Sequence, residues 1–429
     1  FLFLCYTNII FKEWNMNSTA KKSLKIVGLS ILLAVLLLLL VVLSYVAYLS
    51  VNYYRIRDYQ TLAINNNKTE QVALDTAYTI STYNIGFGAY NHEFDFFMDS
   101  GTMKDGTKVS GSGSKAKDQA TVLTNMNGAL DVIYSLNTDF SFFQEVDVKA
   151  DRSRFVDEYA MIQQKFIEHY SSSIAMNMHC GYLLYPFNDP HGSVQAGQVT
   201  LSRYAIDSAT RRSFPIDESF INKFFDLDRC FVVNRLKIQD SDKELVLINL
   251  HMSAYDEGGK VRARQLEMLT DVVESEYKKG NYVIAGGDWN HDIAGSLDAF
   301  ESQQEVPDWV QQITAEDIPE GFSFATTLNA PTCRSTDMPY TAGVNYTVVV
   351  DGFLVSSNVQ VNMVENINTD FAYSDHNPVL MSFSLVKPET PPEGENPDEP
   401  TQEVPEEGTE DVETTNLFQS AVDSKKKEF

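Results

Sequence analysis

Between Lys25 and Arg55 the chain runs for 29 residues without a charge, dense in Leu, Val and Ile. About 20 apolar residues cross a bilayer as a helix, so this segment is long enough to span with some tilt. Nothing else constrains the chain as strongly, because a span here places everything after Arg55 on one side of a membrane. A secretory signal has an apolar region of only about 7–15 residues, and no Ala-x-Ala-like cleavage site is found here. A retained signal-anchor is therefore expected over residues 26–54, with a cleaved signal and a buried core helix as the alternatives. Lys21, Lys22 and Lys25 precede the span, which puts residues 1–25 in the cytoplasm and the rest outside by the positive-inside rule. Met16, followed by Asn-Ser-Thr-Ala-Lys-Lys, reads as the start of translation.

After the span, residues 55–75 read as a stalk, with Thr61–Gln71 a flexible polar spacer. From Lys387 the composition turns to Pro, Glu and Thr with few apolar residues, which cannot offset the entropy of ordering, so 387–429 is expected to be a disordered acidic tail. The formal charge of −26 argues against a nucleic-acid binder that works by a basic stripe, although bound metal lets acidic nucleases exist. Cys180, Cys230 and Cys333 lie far apart, which leaves one disulfide plus a thiol, or three buried thiols, equally open, and no spacing suits zinc.

From about residue 76 short β-branched and aromatic runs alternate with amphipathic stretches. The pattern predicts strands at Tyr78–Ile85, Asp139–Glu145, Gln198–Ser202, Arg229–Ile238, Glu244–His251, Tyr282–Ala285, Thr347–Val355 and Pro378–Leu385. It predicts helices at Asp118–Leu136, Arg152–His169 and Val261–Tyr277, the last from Ala263, Leu266, Leu269, Val273 and Tyr277 on one face. Consecutive strands without a helix between them, from Gln198 to His251, favour a mixed sheet or a pair of sheets.

Polar residues punctuate the ends of these strands. Asn84 closes the first. Glu145 ends Phe140-Ser141-Phe142-Phe143-Gln144, and Arg203 follows Ser202. His251 ends Leu245-Val246-Leu247-Ile248-Asn249-Leu250. Asp288 and Asn290 follow Gly286-Gly287, and Asp351 interrupts an apolar run. Asp375 and His376 stand just ahead of Pro378. Singly, each is explained by a solvated cap or a turn. Seven in order, each where a rigid strand hands over to a loop, point to a catalytic site. Carboxylates Glu145 and Asp375 with Asn84 make a hard oxygen set of the kind Mg²⁺ prefers. Asp351 suits the orientation of the His376 imidazole, while Arg203 and Asn290 suit phosphate oxygens. Attack of water on a phosphoester fits this set.

Asn84, Gln144-Glu145, Ser202-Arg203, Asn249-x-His251, Gly287-Asp288-x-Asn290, Asp351 and Ser374-Asp375-His376-x-Pro378 together resemble the ordered motifs of the endonuclease/exonuclease/phosphatase superfamily. The resemblance covers about residues 76–386. It implies an α/β fold, a four-layered α/β sandwich of two packed mixed sheets flanked by helices, here preceded by one transmembrane helix. It also implies a Mg²⁺- or Mn²⁺-dependent phosphoesterase. Glu145 would be the principal metal ligand, helped by Asn84 and Asp375. Asp288 would orient or deprotonate the attacking water, Asn290 would hold a phosphoryl oxygen, and His376 would act with Asp351. His251 matches a histidine of the deoxyribonuclease-like and sphingomyelinase-like branches that helps protonate the leaving oxygen. The expected substrate is a phosphoester in a nucleic acid, a phospholipid or a small organophosphate. The membrane is reached through the single N-terminal helix, and no protein partner is implied. An extracellular nuclease, a sphingomyelinase-like phospholipase and a catalytically silent binding module remain as alternatives. The interval from Gly86 to Lys117 reads either as an inserted loop with its own apolar cluster or as an aromatic lid.

Overall fold

The computed structural model describes residues 18–53, 55–220, 222–224, 226–254 and 259–387. The acidic tail beyond Lys387 and the first residues of the N-terminus, for which expectations are stated above, lie outside them. In chain order the elements are α1 (Ser18–Asn52), β1 (Gln60–Thr61), β2 (Ala77–Asn84), β3 (Ser100–Thr102), β4 (Lys108–Ser110) and α2 (Gln119–Leu136). There follow β5 (Phe140–Ala150), α3 (Glu158–Phe166), β6 (Ser171–Leu183), β7 (Gly192–Ser202), β8 (Ser208–Ser213), β9 (Cys230–Lys237) and β10 (Glu244–His251). The last are α4 (Lys260–Lys278), β11 (Tyr282–Asp288), β12 (Phe322–Ala325), β13 (Cys333–Arg334), β14 (Thr347–Val348), β15 (Asp351–Ser356), β16 (Val359–Asn366) and β17 (Val379–Leu385).

Two mixed sheets are packed face to face. One runs β1-β8-β9-β10-β11-β15-β12, the other β16-β17-β2-β5-β7-β6. Strand alternation explains the layers. In β10, Leu245 and Leu247, with Phe353 of β15, face Ile80, Phe140, Phe142 and Met381 of the other sheet. Val246, Ile248 and Leu250 face outward, where Leu269 and Val273 of α4 cover them. A strand buried on both faces reads as a continuous apolar run, which is why β10 carries one. In β5, Phe140 and Phe142 point between the sheets, while Phe143 and Val146 meet Val122, Met126, Ile133 and Ile162 of α2 and α3. Helix, sheet, sheet and helix make the four layers. The Asp118 carboxylate accepts the Thr121 N–H at 2.8 Å and fixes the start of α2.

Three expectations need correction. The stretch read as a spacer is instead strapped to the body: Gln60 and Thr61 pair with β8, Asn65 bridges Ser172, and Leu62 and Val72 are buried. The helix expected over Arg152–His169 shrinks to α3, because Arg152 turns back to bind Asp147, and Arg154 and Phe155 shortly after it adopt positive φ. The apolar run Thr347–Val355 is not one strand. Thr347–Val348 pairs with β13, and only from Asp351 does the chain join the sheet.

Helix α1 leaves its Leu, Val and Ile side chains exposed along its length, so it is not a core helix of this body. Its last turns do touch the body, where Leu49 is buried against Leu183 and Phe224. Cys180, Cys230 and Cys333 are free thiols.

Candidate active site

Register gathers the site. β10 and β11 run parallel with His251 beside Asp288, and β11 pairs with β15 so that Asp288 stands beside Asp351. Three functional side chains thus leave one sheet at neighbouring strand ends. In the other sheet β2 and β5 run parallel with Asn84 beside Gln144. The sheets meet at these ends, where Gln144 donates to the Asn249 amide oxygen at 2.8 Å and Asn84 donates to Asp288 Oδ2 at 2.9 Å.

Two local departures from regular strand aim the carboxylates. β5 carries a bulge between Phe143 and Val146, and Glu145 there adopts a φ of 57°. A bulge turns one side chain off the ladder, and positive φ in a non-glycine residue is held only by its surroundings. Gly287, just before Asp288, has a φ of 143°, and a Cβ there would stand 2.0 Å from the Leu250 carbonyl oxygen. Only glycine lets β11 approach β10 so closely at the point where Asp288 emerges.

Asp288 is the centre of the group. The Asn290 N–H donates to its Oδ1 at 2.8 Å, and its Oδ2 lies 3.4 Å from His251 Nε2 and 3.7 Å from His376 Nε2. His376 Nδ1 and Asp351 Oδ2 are 2.8 Å apart. Ser374 holds the loop before β17 in place, its hydroxyl donating to the Asn84 carbonyl at 2.8 Å and accepting the His376 N–H at 3.2 Å. His251 Nε2 also lies 3.8 Å from Glu145 Oε1.

The two imidazoles are held in opposite states. Burial works against charge on His376, but the Asp351 carboxylate, with Cys333 and Asp288, outweighs it and raises the pKa well above the usual value. Burial, reinforced by the Arg229 charge, lowers that of His251 well below the ordinary range. Burial and then the charge of Asp375 push Glu145 to about 8. The Asp375 carboxyl is likewise raised, chiefly by burial.

These groups open into one cavity of about 550 Å³. Glu145, His251, Asp288, Asn290, Asp375 and His376 all line it. Asn84 sits just behind, its amide oxygen accepting the Gly86 N–H at 3.1 Å. Asn290 turns its amide to the Met252 carbonyl at 2.8 Å. Arg203 is not brought to the group. It follows β7, which runs antiparallel to β5, so its N–H bonds to Asp139 at the opposite end of the sheet and its guanidinium meets Tyr170. Three other arginines do line the cavity: Arg152, Arg229 and Arg334. Arg152 is paired with buried Asp147 and lies over the Phe87 ring, 3.1 Å from its centroid. Nothing local in the sequence marks Arg152 or Arg229; Arg334 stands within the Pro-Thr-Cys-Arg stretch, and tertiary packing brings it in. The Gly86–Lys117 interval forms part of the cavity wall, with Phe87, Tyr90, Phe96 and Phe97 lining it; Arg334 binds the carbonyls of Asn91 and Phe94, and Thr336 donates to Asp99.

No model of a known protein family matches the chain, and no curated protein matches it in sequence. Among solved structures, it is similar to truncated TDP2 of Caenorhabditis elegans at 15% identity and a TM-score of 0.42, over 72% of this chain and 97% of that one. It is also similar to an endonuclease/exonuclease/phosphatase of Beutenbergia cavernae, at 14% identity and 0.45, over 72% of each chain. A third is ANGEL2, a 2′,3′-cyclic phosphatase, at 13% identity and 0.46, over 77% of this chain and 99% of that one.

Proposed function

We propose that the chain is a metal-dependent hydrolase of phosphoester bonds, anchored by α1 with its body on the extracytoplasmic side. The observation that carries this reading is the convergence of both sheets' ends on Asp288, with His376, paired to Asp351 and its pKa pushed up, and His251, its pKa pushed down, on either side. Groups pushed apart in this way divide acid and base work between them.

The donor set suits a hard divalent cation. Glu145 and Asp375 give carboxylate oxygens to one cavity, and burial together with the Asp375 charge, which raise Glu145 to about 8, are what a dication would offset. Glu145 and Asp375 would hold Mg²⁺ or Mn²⁺, with Asn84 alongside. A second possible set, Asp288, Asp351 and His376, has ligand atoms within 4.8 Å of one another, but Asp351 and His376 are already engaged with each other. A bound dication would neutralise charge on the phosphoryl oxygens.

The chain's own residues supply the proton movements. Asp288, oriented by Asn84 and the Asn290 N–H, takes a proton from the attacking water as the new P–O bond forms. His376, kept charged by Asp351, gives its Nε2 proton to the oxygen that leaves as the old P–O bond breaks. The neutral His251 accepts or relays a proton beside Asp288. Arg152, Arg229 and Arg334 add positive potential for an anionic substrate in a chain that is otherwise strongly acidic.

For the anchor, α1 has a mean hydropathy of 3.4 over its most apolar window, preceded by three lysines. Cleavage after the span would strip Leu49 from its packing with Leu183 and Phe224, which favours retention. Two measurements test the proposal. The full chain with Mg²⁺ or Mn²⁺ should hydrolyse bis(para-nitrophenyl) phosphate, and chelation should abolish that; no hydrolysis under either metal rejects it. Protease added to intact cells should release the body and leave a membrane stub. A mature protein free in the medium, beginning just beyond Ser50, would reject the anchor.

A further inference from the structure

One side of the catalytic cavity is built on the membrane helix. The Tyr45 hydroxyl donates to the Tyr182 carbonyl at 3.2 Å and accepts the Leu184 N–H at 2.9 Å. The Tyr48 hydroxyl accepts the Tyr182 N–H at 3.0 Å. Between these bonds Leu183 packs on Leu49, and Leu183 itself lines the cavity. The wall of the active site is therefore in direct contact with the last turns of α1.

That contact sets a depth. A span of about 20 residues crosses the hydrocarbon layer, and the exposed apolar run from Ile26 to Leu43 is close to that length. Tyr45 and Tyr48 come next, at the position where tyrosines mark the boundary between acyl chains and water. A span ending there would put residues 182–187, tied to those two hydroxyls through Tyr182 and Leu184, at headgroup level. The side chains they offer there are apolar and uncovered: Tyr185 is 52% exposed and Phe187 83%. Phe220, 57% exposed, extends the rim by packing on Phe224, which in turn meets Tyr53 at the end of α1. The rim runs inward without a break, since Tyr185 packs on Phe97, and Phe97 and Met98 line the cavity. Large uncovered apolar groups beside a span mark contact with lipid rather than water.

We infer that this rim lies in the headgroup layer of the bilayer that α1 spans, and that the phosphoester hydrolysed belongs to a membrane phospholipid entering the cavity from that surface. The substrate assignment rests on the phosphoesterase reading above. Lipid phosphates lie at the depth of the rim, and the apolar wall of Phe97, Met98 and Leu183 suits the first carbons of a lipid leaving the bilayer. A strongly acidic chain is a poor surface for a long polyanion, which disfavours nucleic acid.

The test uses the full chain reconstituted in vesicles of phosphatidylcholine, phosphatidylglycerol and sphingomyelin. Wild type should hydrolyse vesicle lipid and the soluble ester bis(para-nitrophenyl) phosphate. Phe187→Ser/Phe220→Ser should lose about 10-fold or more on vesicles, from lost apolar insertion, while keeping its rate on the soluble ester. An unchanged vesicle rate overturns the inference, as does a wild type that cleaves the soluble ester or single-stranded DNA but leaves every vesicle lipid intact. If wild type cleaves nothing, the phosphoesterase reading has failed, and the rim is judged alone. Phe187→Trp should then add emission that brominated phosphatidylcholine quenches; added emission that resists quenching overturns the rim.

Discussion

Glu145→Gln should lower turnover by about 10³-fold or more, yet make the metal-free protein more stable at pH 8. The loss follows from its place in the ligand set. A cation at a phosphoryl transition state contributes several kcal/mol, and about 1.4 kcal/mol is tenfold in rate. The gain follows from its pKa. In the folded protein burial and the Asp375 charge raise Glu145 from 4.5 to about 8. The native state therefore binds this proton more tightly than the unfolded chain does. Without metal, that tighter binding costs stability progressively as pH rises from about 4.5 to about 8. Glutamine cannot ionise, so the variant avoids the loss, by roughly 1–3 kcal/mol. Added Mg²⁺ should raise the thermal midpoint of wild type and leave that of the variant nearly unmoved. Calorimetry with and without metal at pH 6 and 8, beside a turnover assay, checks this. A variant with wild-type turnover and a wild-type metal shift would remove Glu145 from the ligand set.

The parts of this fold that could be read from the chain are those where local chemistry and tertiary burial agree. β10 is apolar on both faces because both faces are covered, and α4 is amphipathic because only one side packs. β6 carries no clear strand signal because Ser171-Ser172-Ser173 and Asn177-Met178-His179 break its apolar run, although the strand is held along its length by β7. β16 carries none either, because it lies at a sheet edge with much of its surface in water. The site shows the same division. His251 and Asp288 close strands and Asp351 opens one, in register with each other, while Glu145 stands at the bulge within β5, so their order along the chain is informative. Arg203 also ends a strand, but β7 is antiparallel to β5, and a motif does not say which end of a sheet it reaches. The strapped segment after α1 departs from the expected polar spacer for a related reason. Its few apolar residues, Leu62 and Val72, look too sparse for a core until a sheet edge and neighbouring loops receive them.

His376→Ala should lower turnover by about 10²–10⁴-fold, the usual range for an acid–base group. Asp351→Asn should cost nearly as much, since the carboxylate raises the pKa of the imidazole across 2.8 Å. Because the two act as a unit, the double variant should be little worse than either alone. That non-additivity separates catalysis from structure. Removing His376 also leaves Asp351 buried with its partner gone, so some stability is expected to be lost, and a thermal midpoint alone would not discriminate. Turnover must be measured on the folded fraction, at saturating bis(para-nitrophenyl) phosphate. Losses that multiply in the double variant would mean that Asp351 and His376 act separately. Near-normal turnover in either folded single variant would mean that the pair only holds the loop ahead of β17, and the proton for the leaving oxygen would then have to come from His251, which burial and Arg229 keep neutral.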